Sequence, residues 1–168
     1  MDSQILLEKA DITKLEVDAI VNAANSKLAG GGGVDGAIHN AAGESLIDAC
    51  IKLGGCNTGS AKITPGFELA AKYIIHAVGP VWRGGKMNEA ELLKSCYINS
   101  LQLAVDNNLK SIAFPNISTG IYGFPKEQAA YVASEAVKGF LEGNNVSLIV
   151  SFVCFDDENY NIYKNILS

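Results

Sequence analysis

The residues best placed to do chemistry lie in one stretch, Asn22-Ala23-Ala24-Asn25-Ser26-Lys27-Leu28-Ala29-Gly30-Gly31-Gly32-Gly33-Val34-Asp35-Gly36-Ala37-Ile38-His39. Apolar residues lead into it, four consecutive glycines bend it and a helical pattern leaves it, so it reads as strand, loop, helix. Consecutive glycines let backbone N–H groups approach a ligand closely and adopt φ > 0 without a Cβ clash. The helix start that follows adds unpaired N–H groups and the positive end of its dipole. Together these make a seat for an anion. Asn25 carries both a donor and an acceptor, which suits a pair of sugar hydroxyls, and it is equally a left-handed turn residue ahead of the glycines. Asp35 lies in the first turn of the helix, where a carboxylate also complements the macrodipole. His39 follows Asp35 by one helical turn, so the two share a face and can touch; it steadies Asp35 or simply packs.

A second loop, Ser118-Thr119-Gly120-Ile121-Tyr122-Gly123-Phe124, also follows a strand and precedes a helix, so the same sheet edge presents two sets of backbone donors. Two such seats suit a diphosphate. The chain has no G-x-G-x-x-G fingerprint with an acidic residue further on, and no Walker loop ending in Gly-Lys-Ser or Gly-Lys-Thr. Asp11 sits at a strand exit, as a turn or cap residue or as a ligand contact. His76, within Tyr73-Ile74-Ile75-His76-Ala77-Val78, reads as a hydrogen-bonded core histidine. Cys50, Cys56, Cys96 and Cys154 show no C-x-x-C spacing and no partner base, so reduced, non-nucleophilic thiols are expected. With His39 and His76 the only histidines and no H-E-x-x-H pattern, no protein-held metal is expected.

The elements that must hold these loops alternate along the chain. Strands are expected at 5–7, 17–21, 60–64, 73–78, 112–114 and 147–153, the last so apolar that it should be central to the sheet. Helices are expected at 34–42, 44–53, 88–107, 126–141 and 158–167, several closed by glycine or asparagine. This alternation predicts an α/β fold with a mixed, mostly parallel sheet covered by helices on both faces. Ligands collect beyond the carboxyl ends of such strands.

At 168 residues and 48% hydrophobic, the chain has the size of one domain, residues 1–168, with a proper core. A formal charge of −5 leaves phosphates to be held by local backbone donors and makes nucleic acid an unlikely partner. The first residues form no basic, apolar leader, and no apolar run approaches the ~20 residues of a membrane span. A soluble, cytoplasmic protein is expected.

Three motifs in order, 17–25, 30–39 and 117–125, carry a resemblance to the macrodomains of the MacroD type, and the similarity runs from Asp11-Ile12 through Cys154-Phe155-Asp156-Asp157-Glu158-Asn159. One departure is Ala10, where the family usually has glycine. The resemblance implies a three-layer α/β/α sandwich that binds ADP-ribose without a cofactor. It further implies hydrolysis of esters on the distal ribose, either O-acetyl-ADP-ribose or mono-ADP-ribosylated Asp and Glu of proteins; the alternative is a non-catalytic reader of ADP-ribosylated proteins. By this resemblance Asp11 accepts the adenine amino group, with the Ile12 N–H nearby, and Phe155 packs on the ring. Gly32, Gly33 and Val34 hold the diphosphate on one side. The backbone of Ser118, Thr119, Gly120, Ile121 and Tyr122 holds it on the other, with the Ser118 and Thr119 hydroxyls as extra donors. Phe124 walls the distal ribose, Asn22 counts among the binding residues, and the catalytic set is Asn25, Asp35 and His39, with Asp35 orienting a water lodged against a phosphate oxygen.

Overall fold

The computed structural model describes residues 3–168. Among them, six strands, β1 (Gln4–Lys9), β2 (Ala19–Ala23), β3 (Ala61–Pro65), β4 (Tyr73–Ala77), β5 (Ser111–Phe114) and β6 (Ile149–Cys154), form one sheet in the order β1-β6-β5-β2-β4-β3. All neighbours are parallel except β3, which runs antiparallel to β4 at the edge. Five helices cover it: α1 (Gly33–Ala42), α2 (Ser45–Leu53), α3 (Glu89–Asp106), α4 (Lys126–Asn144) and α5 (Asp157–Leu167).

Because side chains alternate along a strand, each inner strand feeds two cores. From β2, Ala19 and Val21 join Tyr97, Phe114, Phe152 and Tyr163 on one face, with α3, α4 and α5. Ile20 instead joins Ile38, Leu46 and Cys50 on the face covered by α1 and α2. The sandwich and the mostly parallel sheet expected from the alternation are therefore present, and β6 lies inside the sheet, as its apolar run required.

Boundaries moved where side chains replaced ladder bonds. β2 begins at Ala19 and not at Val17, because Asp18 is occupied as a staple: its N–H donates to Ser111 Oγ at 2.9 Å and its Oδ2 accepts from Lys110 N at 2.7 Å.

A second staple supports the loop before α3. The buried Glu89 carboxylate accepts from the N–H groups of Arg83, Gly85 and Met87 at 2.8, 3.0 and 2.6 Å. Within that loop, Trp82 N–H donates to Tyr122 O at 2.8 Å and its ring meets Phe124 at 4.7 Å. Glu89 thus braces the loop that braces residues 118–124. Burial pushes its carboxyl upward, but backbone N–H groups outweigh this and bring it from 4.5 down to about 2. A depressed carboxyl contributes stability above its ordinary pKa and loses it as pH falls through the folded value. Glu89→Gln, which sets an amide donor against those N–H groups, is expected to melt at a lower temperature at neutral pH. Thermal melts should show the gap to wild type closing as pH falls from 4.5 toward about 2.

Candidate active site

A cleft of about 860 Å³ opens at the carboxyl ends of the parallel strands, bounded by segments that follow β1, β2, β4, β5 and β6 and by the start of α1. It is the place where the topology collects loops.

At one end, Asp11 caps a 3-10 turn, Ile12–Lys14. Its Oδ1 takes both the Thr13 hydroxyl, at 2.7 Å, and the Thr13 N–H, at 3.0 Å, and these bonds hold the carboxyl below its usual range. No hydrogen bond among the described residues ends on Oδ2, so the capping role leaves one carboxylate oxygen unused. Phe155, directly after β6, leaves 81% of its surface exposed at the rim. A flat apolar face beside a carboxylate with a free oxygen can recognise an aromatic ring bearing an amine.

In the middle, two N–H seats face each other. Gly32 is the N-cap of α1 and offers no side chain to its first turn, so the N–H groups of Gly33, Val34 and Asp35 find no acceptor among the described residues. Opposite lie Thr119, Gly120, Ile121 and Tyr122, with Ile121 96% exposed at the lip. This loop is held by Phe124 N–H to Ser118 O at 2.9 Å and Gly123 N–H to Gly120 O at 3.0 Å. Ser118 takes φ +67°, a strained choice for a residue with a Cβ. Its hydroxyl is turned inward against Gly79, where an added Cβ would stand 2.1 Å from Ser118 Oγ.

At the far end stand Asn25 and Asp35. Asn25 Nδ2 donates to Gly30 O at 2.9 Å and its Oδ1 accepts from Ala29 N–H at 3.2 Å, so it shapes the glycine loop while one amide proton stays available to the cleft. Asp35 is only 6% exposed. Its Oδ1 accepts from Asn22 Nδ2 at 2.8 Å and lies 3.4 Å from His39 Nε2. Among the described residues no hydrogen bond ends on its Oδ2, which reaches toward Gly31, within 3.3 Å of where a Cβ there would lie. One carboxylate oxygen is thus fixed from below and the other is left to the cleft. Such a group can orient and deprotonate a water.

Four expectations need correction. Asn22 does not line the cleft: it is wholly buried because it points to the same face of β2 as Ile20, beneath α1. Phe124 is 2% exposed and packs on Trp82 in place of walling the cleft. The Ser118 hydroxyl, buried against Gly79, is no donor to a ligand, although Ser118 itself lines the cleft as expected. His39 touches Asp35 from outside the cleft and borders a separate groove of about 350 Å³ with Gly30, Asn40 and Glu44, so it supports the carboxylate without reaching the cleft. The remaining expected residues, Asp11, Ile12, Asn25, Gly32, Gly33, Val34, Asp35, Thr119, Gly120, Ile121, Tyr122 and Phe155, all line it. Gly79 and Asn159 line it too. Gly79 directly follows the strand expected at 73–78, and Asn159 falls in the helix expected at 158–167; neither stood among the expected site residues.

Among the described residues no three His, Cys, Asp or Glu side chains converge as a metal site, and no helix is long and apolar enough to cross a membrane.

Comparison with known proteins agrees with the resemblance. The Macro domain family matches residues 21–133. The O-acetyl-ADP-ribose deacetylase of Escherichia coli K12 is 51% identical over 172 aligned residues, covering 100% of this chain and 97% of that protein. The protein of the same name from Salmonella typhimurium is 54% identical, covering 100% and 96%. Among solved structures, the Oceanobacillus iheyensis macrodomain with ADP superposes with a TM-score of 0.91 at 44% identity, covering 96% of this chain and 88% of that one. The Trypanosoma brucei macrodomain in complex with ADP-ribose superposes at 0.92 and 41% identity, covering 98% and 69%. The chain belongs to the macrodomain family.

Proposed function

We propose that this protein binds ADP-ribose along the cleft and hydrolyses esters on its distal ribose, in O-acetyl-ADP-ribose and in mono-ADP-ribosylated Asp and Glu side chains of proteins. The observation that carries this reading is the free Oδ2 of Asp35, facing the cleft beside Asn25 at the end of a double row of backbone N–H groups. The relatives named O-acetyl-ADP-ribose deacetylase and the neighbours solved with ADP and ADP-ribose support it.

Adenine lies on Phe155 with its amine on Asp11 Oδ2, and the diphosphate sits between the α1 N-terminus and the 119–122 backbone, whose partial positive charges suit it in a protein of net charge −5. The distal ribose then meets Asn25 and Asp35. Asp35 Oδ2 orients a water and takes its proton as the water oxygen bonds to the acyl carbon. The acyl carbon–ribose oxygen bond breaks, the ribose oxygen takes up a proton, and a carboxylic acid and ADP-ribose leave. Four buried free cysteines suit a reducing compartment, and the cytoplasm is the proposed place of action.

Product analysis by mass spectrometry on acetyl-, Glu- and Arg-linked ADP-ribose tests the reading. The two esters are expected to release ADP-ribose, and the Arg linkage, an N-glycosidic bond with no acyl carbon, to stay intact. Binding of ADP-ribose with neither ester cleaved would make the protein a reader.

A further inference from the structure

A line of polar side chains runs beneath the cleft on the face of the sheet covered by α1 and α2. Side-chain alternation sends Asn22 of β2 and His76 of β4 to that face, and the parallel register sets them side by side. Both are 0% exposed, and Thr64 of β3 is 4% exposed. Asn22 Nδ2 lies 2.8 Å from Asp35 Oδ1 and 3.2 Å from His76 Nδ1. His76 Nε2 lies 3.0 Å from Thr64 Oγ1, which donates to Pro65 O at 3.2 Å.

The direction of these bonds is fixed from both ends. The Asn22 atom beside the Asp35 carboxylate must be the amide nitrogen, since the carbonyl oxygen there would set acceptor against acceptor. The same nitrogen reaches His76 Nδ1, so Nδ1 accepts and the ring proton sits on Nε2, where it donates to Thr64. Asn22 Oδ1 is meanwhile buried with no partner among the described residues. Turning over would point its oxygen at both Asp35 Oδ1 and the Nδ1 lone pair.

We propose that His76 is a positioning residue for the hydrolysis: as the Nε2–H tautomer it locks the Asn22 amide, which holds Asp35 Oδ1 and leaves Oδ2 turned to the attacking water. This rests on the reading of Asp35 as the group that activates water. The groups facing the ring are Cys50 Sγ of α2, 3.9 Å from Nε2, and the His39 ring of α1 at 6.5 Å. Asp35 faces it through Asn22, and Lys62, its register partner on β3, turns its ammonium to Leu53 O. Burial, and then His39, lower the His76 pKa from 6.5 to about 4, so the neutral ring persists through mildly acidic conditions.

Two substitutions separate positioning from packing. Asn at this position keeps an acceptor near the place of Nδ1, whereas Gln reaches the place of Nε2 and offers Asn22 nothing. For O-acetyl-ADP-ribose, His76→Gln is expected to lower kcat by about 10- to 100-fold, with KM and the ADP-ribose Kd nearly unchanged. His76→Asn should recover most of the rate. In the wild type, long-range 15N–1H correlation should show the ring proton on Nε2 from about pH 5 to about pH 8. An Nδ1–H tautomer, or equal rates in the two variants, overturns the proposal, and the tautomer decides even where the variants fail to fold. A wild type that cleaves no ester refutes the proposed activity instead, which the tautomer measurement leaves untouched.

Discussion

Asp35→Ala is expected to lower the rate of O-acetyl-ADP-ribose and Glu-linked ADP-ribose hydrolysis by about 100- to 10,000-fold, the usual contribution of a positioned general base. ADP-ribose binding should survive. In the proposed binding mode the diphosphate rests on backbone N–H groups of the α1 start and the 119–122 loop, none of which the substitution removes. Loss of a carboxylate next to an anionic ligand removes a repulsion, so affinity should hold steady or rise. The protein itself should lose about 1–3 kcal/mol, because Asn22 Nδ2 is buried and gives up its strongest acceptor. Single-turnover hydrolysis, calorimetric titration with ADP-ribose and a thermal melt read the three effects separately. A variant that binds, folds and still cleaves within a few-fold of wild type would remove Asp35 from the chemistry.

The parts of this site legible in the sequence are those encoded locally. A glycine run leading into a helix start announces unpaired N–H groups wherever the segment ends up, and the register of a helix puts Asp35 in its first turn whatever lies around it. The strand and helix alternation was legible for the same reason, since periods of two and 3.6 are properties of short windows. What failed depended on which way a side chain turns in three dimensions. Asn22 stands three residues before Asn25, and the resemblance counted it among the binding residues. Yet Asn22 still belongs to β2 and points under α1 with Ile20, whereas Asn25 has left the strand. Ser118 carries a hydroxyl in a loop of donors, but its φ of +67° turns that hydroxyl against Gly79. The role of Gly79 follows from the loops after β4 and β5 meeting, a contact that no window of sequence around Gly79-Pro80 contains. His76 was legible as a buried, hydrogen-bonded histidine; its partner was not, because the neighbour of a parallel strand is set by topology.

The glycine loop supplies the other large expected effect, at a position that touches no ligand. Gly36 lies inside α1, and a Cβ there would stand 2.4 Å from Gly31 O and 3.4 Å from Gly31 C. Both are backbone atoms, so no rotamer change relieves the clash; either the Gly31 peptide or the first turn of α1 must move. The first turn of α1 carries one N–H seat together with Asp35, and the Gly31 peptide leads into it. On helix propensity alone, Gly36→Ala should stabilise the protein by about 0.5–1 kcal/mol. Overpacking against backbone costs about 1–3 kcal/mol and should win. ADP-ribose affinity is expected to fall by at least about tenfold, or roughly 1.4 kcal/mol. Gly139→Ala in α4, where nothing lies within 4 Å of the added carbon, supplies the control. It should melt at the wild-type temperature or above and bind ADP-ribose unchanged. If Gly36→Ala matched Gly139→Ala in both titration and melt, the glycine at 36 would matter only to the helix. The close approach of the loop to α1 would then not be what holds the anion seat in shape.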